Sequence, residues 1–243
     1  MLCLNHVTHW RENLVLIKIS VYLYCIFISG YLFANATSNQ YPESIATTEL
    51  PAYCSYPPKV QHTINLLLSL AKQRLNYQYG SSNPKTGGMD CSGTMYYALT
   101  QMGIPEIPRS SDLQYEWVAT HGHFYAVPDS TISIDAIEFS HLRPGDLLFW
   151  SGTYKIERSI NVTHVMMYLG KNQTGQPLMI GASNGRSYKG RKIYGVSVFD
   201  FKVPDKDRHG HFLGYGCVPN LNCILPMPTT RGLIITPKLL LSQ

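Results

Sequence analysis

The spacing of apolar residues divides the chain into a front part with helical period and a rear part with strand period. Val60, Ile64, Leu67, Leu68, Ala71 and Leu75 recur at three- and four-residue intervals, which predicts a helix with one buried face. Residues 77–89 are dense in Gly, Ser, Asn and Pro and predict a long loop. A second periodic stretch opens at Cys91, runs through 94–102 and stops at Gly103, a residue that commonly ends helices. A Pro-rich turn over 104–111 leads to a third, short helix around 113–119. From Arg143 the period shortens. Pro144-Gly145-Asp146 is a turn, and 147–150 is a short apolar strand. After a polar loop at 151–162, further strands are predicted at 164–169, 177–182, 195–201 and 212–218. Helices first and antiparallel strands afterwards predict an α+β domain with a central antiparallel sheet. No internal repeat is visible.

Composition narrows the class. The 243 residues are 44% hydrophobic, 14% charged and include 17 Tyr, which excludes a disordered chain. No Gly period or charged heptad supports a collagen-like or coiled-coil architecture. The net charge of +5 comes from scattered Lys and Arg. The densest group, Arg186, Lys189, Arg191 and Lys192, reads as a solvated turn, so no nucleic-acid partner is expected.

The first 36 residues read as a leader. Arg11 and Lys18 precede an uncharged stretch from Ile19 to Ala34, and Ala34-Asn35-Ala36 has the small-x-small form of a signal-peptidase site. The uncharged run is shorter than the ~20 residues that cross a bilayer comfortably. Export with cleavage after Ala36 is therefore expected, and a membrane association only if the leader is retained. The organisation that follows is a leader at 1–36, a polar lead-in at 37–58, a domain at 59–222 and a loose tail at 223–243. Of the six Cys, Cys3 and Cys25 fall in the leader. One bridge among Cys54, Cys217 and Cys223 is compatible with an exported chain, with the pairing open. No Cys-x-x-Cys pair occurs, so neither a metal nor a cofactor is expected, and His209-Gly210-His211 is too little for a zinc site.

Cys91 stands where the glycine-rich loop meets a helix, in Gly88-Met89-Asp90-Cys91-Ser92-Gly93. A helix N-terminus favours thiolate over thiol, and its N–H groups suit a developing oxyanion. His164 opens an apolar strand, where an imidazole needs a partner or a task, and it is the candidate to take and return the thiol proton. A buried structural Cys and a core His are the plain alternatives. The two residues lie 73 positions apart, so their meeting is a matter of fold.

Several blocks together resemble the NlpC family of papain-like cysteine peptidases: Tyr77-Gln78-Tyr79-Gly80, Asp90-Cys91-Ser92-Gly93, Ile107-Pro108-Arg109-Ser110-Ser111 with Gln114, Arg143-Pro144-Gly145-Asp146-Leu147-Leu148-Phe149, and His164-Val165 with Tyr168-Leu169-Gly170. They occur in family order over about residues 60–185. The resemblance implies a papain-like α+β fold, Cys91 as nucleophile and His164 as general base and acid. It also implies a monomer that cuts bacterial peptidoglycan stem peptides, typically after γ-D-glutamate and before a diamino acid. Tyr77, Asp90, Ser92 and Ser111 fall on substrate-pocket positions, and the Asp90 carboxylate is suited to a substrate amine. Arg109 is expected to be structural, bonding loop carbonyls. Two departures stand out. Residues 151–163 form an insertion ahead of the His164 strand. The position that orients the imidazole in the family falls on Gly181, which leaves Ser183, Asn184, an upstream residue or a water for that role. Other readings are a non-catalytic wall-binding module, or a Cys–His amidase or acyltransferase acting on another acyl group.

Overall fold

The computed structural model describes residues 41–203 and 210–223; the predicted leader and the tail beyond residue 223 lie outside the described residues. Three helices precede most of the sheet: α1 (Pro58–Lys72), α2 (Cys91–Gln101) and α3 (Ser111–His121). Two short parallel strands, β1 (Asn76–Tyr77) and β2 (Gly88–Met89), tie down the ends of the glycine-rich loop. The main sheet contains β3 (His123–Ala126), β4 (Leu147–Ser151), β5 (His164–Lys171), β6 (Pro177–Tyr188), β7 (Arg191–Asp200) and β8 (His211–Cys217). Its order is β3-β8-β4-β5-β6-β7, with every neighbouring pair antiparallel. The α+β architecture expected from the sequence is the one observed.

Each helix follows from its sequence. Pro58 occupies the first turn of α1, where a missing N–H costs nothing. Val60, Ile64, Leu67 and Leu68 are buried toward the sheet, and each contributes about 2 kcal/mol of apolar burial. Asp90 caps α2 by accepting the Gly93 N–H at 2.6 Å. Strand β5 is buried from His164 through Gly170, with α2 packed against it and a strand on either side, which accounts for its apolar run.

The segment before α1 is irregular, with two 3-10 turns at Thr47–Glu49 and Tyr53–Ser55. Its described part packs on the domain. Ile45, Leu50 and Tyr56 are buried, and the Glu43 carbonyl accepts the Val198 N–H at 2.9 Å. The bridge left open by the sequence joins Cys217 to Cys223, and Cys54 is a free, exposed thiol. Two features depart from expectation. Strand β3 pairs with β8 in a region with no predicted strand, and β6 runs on to Tyr188 through the segment read as a solvated turn.

Candidate active site

Helix α2 packs against β5 and β6, so the α2 N-terminus and the start of β5 meet although they are distant in sequence. Cys91 is 5% exposed, and the backbone N–H groups of Val165, Ser92 and Cys91 itself are near enough to its sulfur to favour the thiolate in part. Val165 directly follows His164, which is 6% exposed, so the thiol lies against the start of the His164 strand.

The two side chains line adjoining cavities. One, of about 230 Å³, has Cys91, Asp90, Ser92, Arg109, Ser111 and Arg158 among its walls. The other, of about 300 Å³, includes His164, Ser183, Asn184 and Arg186. Tyr77, Tyr79 and Tyr154 belong to both. Tyr79 and Tyr154 meet edge to face at 6.1 Å, so these rings divide a single cleft between the thiol and imidazole sides.

Electrostatics at the thiol run against the local rule. Burial, with the Asp90 carboxylate second, pushes the Cys91 thiol up to about 11, and the surrounding N–H groups only partly oppose this. The helix N-terminus alone predicts a thiolate, and burial of the sulfur works in the opposite direction. Burial likewise raises the Tyr77 phenol, which is further raised by Cys91 and Asp90, so this group keeps its proton and is a hydrogen-bond donor at the cleft.

Asp90 and Arg109 form the frame of the thiol side. The guanidinium bonds both carboxylate oxygens, at 2.9 and 3.1 Å, and the Ser92 hydroxyl at 3.1 Å. Asp90 also accepts the Gly80 N–H at 2.7 Å. Arg109 therefore does not bond loop carbonyls as expected; it neutralises the carboxylate beside the thiol. Asp90 lines the pocket with its acceptor sites already engaged, which leaves little of it for a substrate amine. Ser111 donates to the Val162 carbonyl at 3.1 Å.

Residues 74–195, half of the chain, match the NlpC/P60 family. The chain belongs to that family. Murein DD-endopeptidase MepH of Escherichia coli (strain K12) is 28% identical over 134 residues, 52% of this chain and 42% of that protein. The present chain thus spans less than half the length of that relative.

Against the NlpC/P60 pattern, the position of the missing side chain becomes concrete. Met167 pairs with Ile180, so in the same register Gly181 is level with Met166 and Ser183 with His164. A Cβ on Gly181 would stand 3.3 Å from Met166 Cγ and 3.6 Å from Met95 Cε. Hydrocarbon fills the place of an orienting side chain, while Ser183 shares the His164 cavity, with Asn184 beside it. Trp150, paired with His164 across β4 and β5, places its ring 5.6 Å from the imidazole.

Three wall residues were not read as site residues from the sequence. Tyr154 and Arg158 come from the insertion, and Arg158 is fixed by Asp112 at 2.9 Å. Arg186 was assigned to a solvated turn but is 5% exposed, with its guanidinium carbon 4.2 Å from the Trp150 ring centroid. The signal available was Gly185 inside an otherwise regular strand, which commonly marks a bulge. Among the described residues, no group of three or more His, Cys, Asp or Glu is placed to hold a metal ion. His209 lies outside the described residues, and His211 pairs with Asp129 at 2.9 Å.

Proposed function

We propose that this chain is an exported cysteine peptidase that hydrolyses peptidoglycan stem peptides. The observation that carries the reading is the thiol of Cys91 set against the start of the His164 strand, at a cleft whose two halves are lined by one and the other. Family membership and the murein-cleaving relative point to the same class of substrate. The Cys217–Cys223 bridge suits an oxidising compartment and so supports export.

In this mechanism His164 takes the Cys91 proton as the sulfur attacks the scissile carbonyl carbon. The N–H groups of Cys91 and Ser92, with the protonated Tyr77 phenol, stand at the cleft to stabilise the oxyanion. The Gly93 N–H is excluded from that role, because Asp90 holds it. His164 then protonates the leaving amine, and water hydrolyses the thioester.

Tyr77, Asp90, Ser92 and Ser111 form the acyl-side wall in this reading. The bond after γ-D-glutamate is the proposed target, whereas the name of the relative points to bonds between D-centres. Mass spectrometry of muropeptides digested by the full chain distinguishes the two bonds. Cys91→Ala is expected to abolish every product, and absence of products with the parent chain under mild reduction would overturn the peptidase reading. A wall-binding module is the second reading, favoured by the filled space at Gly181 and the raised thiol.

A further inference from the structure

We propose that the cavity between the segment preceding α1 and the far end of β5 is a second binding site. It takes the C-terminal end of a short apolar peptide, with the carboxylate on Arg143 and a peptide group on the Tyr168 hydroxyl. The inference does not depend on the peptidase reading, because neither Cys91 nor His164 borders this cavity. Tyr168 lies further along β5 than His164, roughly 13 Å from it at a strand rise of about 3.3 Å per residue. The cavity volume, about 670 Å³, exceeds that of either part of the cleft. It lies within the range of small-ligand sites and has room for about two or three small residues.

The walls are apolar and stiff. Pro51, Pro57 and Pro144 contribute rings with fixed backbone φ, and Leu142 and Tyr56 stand among them. Tyr56 is anchored by donating its hydroxyl to the Leu169 carbonyl at 3.1 Å. Gly170 makes that approach possible. Its φ is +107°, and a Cβ there would collide with the Tyr56 hydroxyl. Walls that are already ordered lose little freedom when a ligand enters, which favours binding.

Two polar groups are left to face a ligand. Tyr168 is 5% exposed, its ring lies 6.1 Å from that of Phe201, and its hydroxyl has no hydrogen-bond partner among the described residues. Burial holds the phenol above its ordinary value, so the group keeps its proton as a donor. Buried hydroxyls are normally satisfied, and the cavity that Tyr168 borders is where the partner enters. Arg143 is exposed, and its guanidinium makes no ion pair or hydrogen bond among the described residues. The Asp146 carboxyl, whose charge acts on Arg143, gives its oxygens to the Asn222 amide at 2.6 Å and the Arg143 backbone N–H at 2.8 Å. Lys171, the other cation of the wall, is held by Asp135 at 2.8 Å. No Asp or Glu borders the cavity among the described residues. The guanidinium fork suits a carboxylate, the separate hydroxyl suits a peptide carbonyl, and the surrounding rings suit small side chains. A peptide C-terminus carries that combination.

The test titrates the full chain carrying Cys91→Ala by saturation-transfer NMR. The probes are N-acetyl-D-alanyl-D-alanine, its C-terminal amide, the corresponding L,L acid, and octanoate. The better-bound dipeptide acid should bind about tenfold or more tighter than its amide. Arg143→Gln should abolish that preference, and Arg143→Lys should keep part of it. Tyr168→Phe, which retains the ring, should weaken acid and amide alike by about threefold or more. Urea melts verify that each variant remains folded. Tighter binding of the D,D acid names wall peptides as the source of the ligand, and of the L,L acid, protein termini. Acid and amide within about twofold of each other overturn the proposal, as do affinities unchanged by both Arg143→Gln and Tyr168→Phe. Octanoate that binds as tightly as the dipeptides overturns the peptide as occupant. The tested chain lacks the Cys91 thiol, so failure of the peptidase reading alters none of these outcomes.

Discussion

Replacing Arg109 by Met tests whether this residue is a structural counter-charge or a substrate ligand. The perturbation leaves the Asp90 carboxylate, 8% exposed in its side chain, without its cation. Breaking a fully buried ion pair costs about 3–5 kcal/mol, whereas an exposed one is worth about 0.2–1 kcal/mol. Arg109 is 35% exposed, and Asp90 keeps the N–H groups of Gly80 at 2.7 Å and Gly93 at 2.6 Å. The loss should fall between the limits, at about 2 kcal/mol. Urea denaturation of the parent, Arg109→Met, Asp90→Asn and the double variant isolates the coupling of the pair. The same four proteins report on the thiol, since the Asp90 charge raises Cys91. Iodoacetamide alkylation of Cys91 should slow in Arg109→Met, where that charge is unopposed, and speed up in Asp90→Asn. A coupling below about 0.5 kcal/mol would refute the reasoning. So would an Arg109→Met protein of parental stability whose only defect is weaker substrate binding.

Burial lifts Asp146 to about 7 against the opposing N–H of Arg143 and amide of Asn222, so from the ordinary 3.8 up to that value the folded state holds a proton the unfolded chain has released. Stability from this group is full at acid pH and is lost as pH rises through about 7, by at most ~4 kcal/mol, so Asp146→Asn should gain on the parent between pH 5 and 8 in urea melts; parallel profiles would refute this. The Cys217–Cys223 bridge spans a sequence separation of 6 and encloses Asn222, whose amide donates to Asp146 at 2.6 Å. Cys223→Ser should cost about 2 kcal/mol in oxidising buffer and nothing relative to a reduced parent, and equal denaturation midpoints without reductant would count against it.

The sequence patterns that proved readable were those tied to one-sided burial. The α1 stripe of Val60, Ile64, Leu67 and Leu68 packs inward as its period predicted, and the apolar run of β5 is the buried central strand. Strand β3 escaped notice because its four residues, exposed at both ends and half-buried between, lie at a sheet edge and show no two-residue period. Arg186 was misread for a different reason. Charge density suggested solvent, but a guanidinium stacks well on an aromatic face, and Trp150 arrives from a strand 36 positions earlier. The thiol shows a conflict between levels: helix-end position argues for a thiolate, and tertiary burial pushes the other way. Candidate identities at the cleft were thus legible, whereas their charge states depended on contacts that only the fold creates.

The filled space at Gly181 bears on how the imidazole is aimed. A third side chain in Cys–His and Ser–His sites both aims the imidazole and stabilises its positive form. Here Trp150 and Ser183 flank His164, so orientation has a physical source in ring packing and a neighbouring hydroxyl. At Gly181 the nearest side chains are those of Met166 and Met95, which aim nothing by hydrogen bonding. In the proposed mechanism the imidazole is therefore aimed by ring packing from β4, and Trp150, not residue 181, is the position whose replacement should be felt first in turnover.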